Sequence, residues 1–210
     1  MSSTSSPRLP AAERRQALIE AALRVFSTGS YSGATTADIA REARVSEPIL
    51  YRHFASKRDL YLACLDATWQ RFREAFDAKI AELGEENAVA AVGISLIGMR
   101  AHKVLPPNLW VQAITEAGED PEIRRYLRRH IRELHDFIQS ALARGQAAGG
   151  IPKDRDAEAE AWIFVAGGLL LSVADRLGGL IDQDDLMRIA RARHTWLTGR
   201  PLPAKRLGTG

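Results

Sequence analysis

TTADIAREARVSEPILYRHFASKRDL, residues 35–60, carries three helix-start signals in 26 residues. Thr35-x-x-Asp38 and Ser56-x-x-Asp59 place a hydroxyl where it covers early backbone N–H groups, with a carboxylate three residues on. Ser46 offers a simpler cap, and Pro48 falls in the turn that follows, where a missing N–H costs nothing. Two short helices follow, with Ile39, Ala40 and Ala43 on one and Leu50, Tyr51 and Phe54 on the other. Neither is long enough to bury itself, so they must pack on each other and on a third. About three residues are left for the turn, which forces the steep crossing of a helix-turn-helix. Its second helix then turns Glu47, Pro48 and Ile49 outward, toward a major groove.

Working outward, Leu18, Ala22, Val25 and Phe26 recur at helical spacing and supply the third wall, ending near Gly29. Downstream, Tyr61, Leu65, Trp69, Phe72, Phe76, Ile80 and Leu83 step by three or four and predict a helix of about 40 Å. Gly84 ends it. Further helices are expected over 88–105, where Gly93 and Gly98 weaken the helix and would allow close helix contact or bending and Pro106-Pro107 stops it, and over 108–117. Asp120-Pro121 opens a long helix with Ile123, Leu127, Ile131, Leu134, Ile138 and Leu142 on one stripe. An eighth helix starts near Asp154 or Asp156 and holds the uncharged run Ala161 to Ala174, apolar on every face. Asp182-x-x-Asp185 caps a ninth that ends at Thr198. The eighth needs cover on all sides, which a second copy of the chain would supply, and Gly167-Gly168 would let two helices approach closely.

The expected class is therefore all-α: an N-terminal three-helix unit at 11–56 and a helical body at 57–198, about nine helices in all. Residues 1–10 read as a disordered leader and 199–210 as a flexible tail. Residues 1–60 hold nine Lys and Arg against six Asp and Glu, whereas 61–210 hold 20 of each, so the positive surplus sits on the helix-turn-helix. A lone Cys64 excludes an internal disulfide. The 14-residue uncharged run is short for a bilayer span and the leader lacks an apolar core, so the expectation is a soluble, cytoplasmic protein with no membrane partner.

At Phe26, Thr35-Thr36, Ile39-Ala40, Val45-Ser46, Leu50-Tyr51-Arg52-His53-Phe54 and Ser56-Lys57-Arg58-Asp59-Leu60 the chain resembles the TetR family of bacterial repressors. The match covers about the first quarter of the chain. It departs at Arg44, where family members commonly carry the glycine that eases a left-handed backbone. The resemblance implies a ligand-responsive transcriptional regulator, a repressor that binds a palindromic operator in double-stranded DNA as a homodimer and is released by a small molecule. It implies pairing through the last two helices, about 156–198. It also assigns DNA-contacting roles: Thr36, Tyr51, His53 and Lys57 to phosphates, Glu47, Pro48 and Ile49 to bases, with Arg44 and Ser46 beside them. The family sets its effector cavity beside the long fourth helix. That makes Trp69, Phe72, Phe76, Met99, His102, Trp110, Glu116, Phe137 and Trp162 the candidate ligand-binding residues, aromatic walls with few polar anchors.

Other constellations have plainer readings. His130, Glu133 and His135 lack a metal-binding spacing, since the two histidines lie about 140° apart around the helix, so neither metal nor cofactor is expected. Arg124, Arg125, Arg128, Arg129 and Arg132 form a basic stripe whose default is a solvated face paired with nearby carboxylates. No nucleophile-base pairing or other catalytic motif is visible, and the chain is not expected to be an enzyme. The rival readings are a ligand-binding helical protein without operator affinity and, further off, a helical enzyme built on the aromatic cavity.

Overall fold

The computed structural model describes residues 10–101 and 107–202, and all regular elements among them are helical. The chain divides into two compact units between residues 67 and 68.

In the first unit, α1 (Ala11–Thr28), α2 (Thr36–Glu42), α3 (Glu47–Tyr51) and the start of α4 (Lys57–Leu83) enclose Leu18, Phe26, Ile39, Leu50, Leu60, Tyr61 and Leu65, all essentially without solvent exposure. Side chains of this size contribute about 1.5–3 kcal/mol each on burial. Phe26 meets Tyr61 edge-on at 5.0 Å, and Tyr31 packs on Tyr61 at 4.7 Å, an arrangement that suits ring quadrupoles. Thr35 forms the full capping box: its hydroxyl accepts from the Asp38 N–H, and its own N–H donates to the Asp38 carboxylate. Ser56 Oγ likewise accepts from the Asp59 N–H at 3.0 Å. Ser46 differs from expectation. It holds the N-cap backbone position of α3, but its hydroxyl makes no capping bond.

The second unit takes in the rest of α4, a 3₁₀ turn (Glu85–Asn87), α5 (Ala88–Ala101), α6 (Pro107–Glu116), α7 (Pro121–Ala147), α8 (Ala157–Arg176) and α9 (Gln183–Thr198). Asp120, Asp156 and Asp182 each cap the following helix by accepting from its first-turn N–H groups. Phe72, Phe76, Val89, Val92, Ile138, Leu142, Ala161 and Leu197 form the core. The end of α7 is fixed against the 3₁₀ turn by close backbone approach: a Cβ on Gly150 would lie 1.8 Å from the Glu86 carbonyl oxygen. Only glycine fits there. Gly93 and Gly98, expected to permit close helix contact or bending, have nothing among the described residues within 4 Å of a built Cβ.

Helix α8 packs on α6 and α7 and buries a narrow stripe, Glu160, Ala161, Val165 and Ala174. Trp162, Ile163, Leu170 and Val173 remain 40–50% exposed. By length and composition α8 is the one helix among the described residues able to cross a membrane, although a stripe of it is packed in the protomer.

Candidate nucleic-acid interface and ligand cavity

The turn between α2 and α3 is tight because Val45 N–H reaches back to the Ala40 carbonyl and Arg44 N–H to that of Arg41. Arg44 takes φ +55°, the only non-glycine residue with positive φ among those described. A left-handed backbone costs a side-chain-bearing residue about 1–2 kcal/mol, so the turn keeps its shape despite the missing glycine. The Arg44 side chain is exposed at this corner, as are Ser46, Pro48 and Tyr51. Thr36, Glu47, Ile49 and His53 are half-buried beside them.

Three of these residues form one hydrogen-bonded group. The Thr36 hydroxyl donates to Glu47 Oε1 at 2.6 Å and lies 3.1 Å from the Tyr51 hydroxyl. Lys57 is engaged elsewhere: its ammonium donates to the carbonyls of Tyr31 (2.9 Å) and Ala34 (3.1 Å) and sits 4.5 Å from the centre of the Tyr31 ring. It therefore clamps the loop before α2 and keeps a single N–H for anything else. On the acidic side, hydrogen bonds from Thr35, reinforced by Arg41, hold the Asp38 carboxyl below its usual range.

Within the second unit a cavity of about 110 Å³ lies among α4, α5, α6, α7 and α8. Trp69, Phe72 and Trp110 line it as the sequence predicts, together with Leu96, Leu134 and Phe164. Among the described residues, no carboxylate or cation reaches its wall. Phe76 and Phe137 do not line it. They pack edge-on at 5.0 Å, and Phe137 also meets Trp69 and Phe72, so these rings back the wall from the core side. Glu116 ends α6, with its carbonyl accepting from Glu119 and Asp120, and is absent from the lining. Trp162 lies on the outer face of α8, stacked at 4.2 Å on the buried His135. His102 lies outside the described residues, as does the side chain of Met99.

The lining from α8, namely Phe164, Val165, Gly168, Leu169 and Ser172, was not singled out by the sequence. A run apolar on every face offers no periodicity from which to choose one. His130 sits behind the cavity, 5.0 Å from the Trp110 ring and 5.9 Å from that of Trp69. His135 turns to Asp136 and the Glu158 carbonyl, 3.0 and 3.2 Å from its two ring nitrogens. The basic stripe is a solvated face: Arg125 and Arg129 lie 3.9 and 3.7 Å from Glu122 and Glu133, and Arg124 caps the carbonyls of Ala117 and Gly118.

A compact helix-turn-helix with an exposed polar edge, and a separate helical unit with an aromatic cavity, define a one-component regulator fold. Residues 18–64 match the family described as bacterial regulatory proteins, tetR family, and residues 108–167 match the C-terminal region of BetI-type transcriptional repressors. The chain belongs to the TetR family.

The chain is 52% identical over 58 residues to the HTH-type transcriptional activator FasR of Mycolicibacterium smegmatis, covering 28% of this chain and 26% of that one. It is 32% identical over 133 residues to the HTH-type transcriptional regulator BetI of Rhizobium meliloti, covering 61% and 64%. Both matches span less than two thirds of the relative's own length. Among solved structures, a TetR-family regulator from Rhodococcus sp. superposes with a TM-score of 0.78 at 22% identity, covering 89% of this chain and 99% of that one. A regulator from Saccharomonospora viridis, solved in complex with choline, gives 0.61 at 23% identity, covering 86% and 93%. At these identities the structures bear on the fold alone.

Proposed function

We propose that the protein is a ligand-responsive repressor that binds a palindromic DNA operator as a homodimer in the cytoplasm and leaves it when a small molecule enters the second unit. The observation that carries this reading is the exposed edge of α2 and α3, where Thr36, Glu47 and Tyr51 form one hydrogen-bonded group beside Pro48, Ile49 and the exposed guanidinium of Arg44. Thr36, Tyr51, His53 and Arg44 would hold phosphates, with Ser46 Oγ left by its missing cap bond as a further donor. Glu47 would accept from a cytosine amino group, and Pro48 or Ile49 would pack on a thymine methyl. In free protein Glu47 Oε1 already accepts from Thr36, which orients the carboxylate and leaves it further lone pairs to accept from a base.

Pairing through α8 and α9 would cover Trp162, Leu170, Val173, Ile189 and Trp196, all at least 40% exposed in the protomer. The effector would occupy the aromatic cavity among Trp69, Phe72 and Trp110. The aromatic and aliphatic side chains of the described wall favour a compact molecule with apolar surface. Choline, bound by the Saccharomonospora viridis protein, is the natural charged comparison, since ring faces attract quaternary ammonium groups. Helix α4 runs from Lys57, in the first unit, to Leu83, in the second, and would carry the response as a coupling of about 1–3 kcal/mol.

The test is binding to DNA from upstream of the protein's own gene, and to sites drawn from a random pool, across a salt series. Affinity for a palindrome that falls steeply with salt is expected. Glu47→Ala should relax preference at one base pair in each half-site, by about 1–3 kcal/mol. A selected logo identical to wild type would overturn the assignment of Glu47, and failure to select any site would overturn the regulator.

A further inference from the structure

A second cavity, about 190 Å³, lies between α5, α8 and α9, and Leu96, Phe164 and Gly168 are the wall it shares with the aromatic one. Its lining is aliphatic, with Ile94, Ile97, Leu171 and Leu186 prominent, and it opens at Leu170 and Ile189 on the face proposed above to pair. Among the described residues, the charged or titratable side chains that reach it are Arg193 and His194, successive residues of α9. Part of the volume exists because Gly93 lacks a side chain: a Cβ there meets nothing within 4 Å. A glycine inside a helix is less stable than alanine, and no close contact with another described helix at Gly93 offsets that.

Arg193 is held in place. Its Nη2 donates to Glu160 Oε2, and the other Glu160 oxygen accepts from Trp196 Nε1 at 3.2 Å. Glu160 is only 8% exposed, and a carboxylate so deep is tolerated because both oxygens are bonded. A guanidinium carries five N–H donors in a rigid fork, so the bond to Glu160 fixes Arg193 without exhausting it. The guanidinium also lies 5.9 Å from the Phe164 ring, at the shared wall.

An aliphatic volume with one anchored guanidinium at its edge is the complement of an unbranched apolar chain that ends in a carboxylate, the group a guanidinium fork binds best. We propose that this cavity is a second ligand site, separate from the aromatic one, that takes an aliphatic carboxylate with its head on Arg193 and its chain along α5 and α8.

The probe is dodecanoate, with dodecanol as the neutral match, titrated calorimetrically into the full chain and its variants. Wild type should bind dodecanoate more tightly than dodecanol. Arg193→Gln should weaken dodecanoate about tenfold or more while leaving dodecanol unchanged, and Arg193→Lys should restore part of the loss. Gly93→Leu fills this cavity alone and should abolish dodecanoate binding, whereas Trp110→Ala, which alters only the aromatic cavity, should spare it. Equal wild-type affinity for acid and alcohol would overturn the proposal. So would sensitivity to Trp110→Ala without sensitivity to Gly93→Leu, or no binding at all, as when side chains of a second copy fill the space. Operator binding is read separately: Gly93→Leu should retain it, and failure of the operator reading leaves the ligand result standing.

Discussion

The two units are stabilised by different means. In the first, polar groups fix the turns and helix ends of the DNA-facing edge: the Thr35 capping box, the Lys57 ammonium on two loop carbonyls, the bonded group of Thr36, Glu47 and Tyr51. The second also has capped helices, at Asp120, Asp156 and Asp182, but it leaves apolar volume unfilled and apolar surface uncovered, and two backbones approach closely at Gly150 and Glu86. A unit that must present donors in fixed register benefits from many directional bonds. One that must admit other molecules benefits from loosely filled apolar space.

That contrast can be broken most severely at Gly150. Gly150→Ala sets a methyl group into the Glu86 carbonyl, and a loss of about 3 kcal/mol or more is expected in denaturant unfolding. A loss below about 1 kcal/mol would show that the backbone there yields freely, and the contrast would lose its main support.

Lys57→Ala comes next. Removing two charge-assisted bonds and a cation–π contact should cost about 2 kcal/mol, visible as faster hydrogen exchange across α2 and α3. Normal exchange together with weakened DNA binding would return Lys57 to a purely phosphate-contacting role. Arg44→Gly relieves a left-handed residue and should stabilise the first unit by about 0.5–1 kcal/mol, less than the strain itself because glycine adds freedom to the unfolded chain. The same change should weaken binding to all DNA sequences alike, so a variant that is both more stable and a tighter binder would remove Arg44 from the interface.

The smallest effect is one of pH. Burial holds the His194 imidazole below its ordinary value of 6.5, opposed by the bond to the Arg200 carbonyl. The unfolded chain therefore takes up this proton first, and stability conferred by neutral His194 is complete above 6.5 and declines as pH falls toward the folded value. His194→Gln should flatten that acid-side slope in melting temperature, and an unaltered slope would assign it to other groups.

The contrast also explains what could be read in advance. The helix-turn-helix was legible because its signals are local: a hydroxyl three residues before a carboxylate, a proline in a first turn, a three-residue gap. The starts of α2, α3 and α7 follow from such signals, whereas α2 ends at Glu42 and α3 at Tyr51, so Ala43 and Phe54, expected on the two helices, lie just beyond them. The role of Lys57 was not legible, since its carbonyl partners lie 26 and 23 residues earlier. In the second unit periodicity placed Trp69 and Phe72 on one stripe but could not say that Phe76 and Phe137 meet behind the cavity while Trp162 turns outward to cover His135. Gly93 looked like a contact residue and proved to border a void, because the sequence shows an absent side chain without showing what faces it.

The uncovered apolar face of α8 and α9 also has a bearing on supply. A newly finished chain that has not yet met a second copy shows Trp162, Leu170, Leu177 and Trp196 to everything else in the cell, proteases and chaperones included. If pairing is what covers that face, the chance of survival depends on how many copies are being made nearby. A weakly expressed gene would then lose proportionally more of its product than a strongly expressed one, and the amount of protein would respond to the rate of synthesis more steeply than one for one.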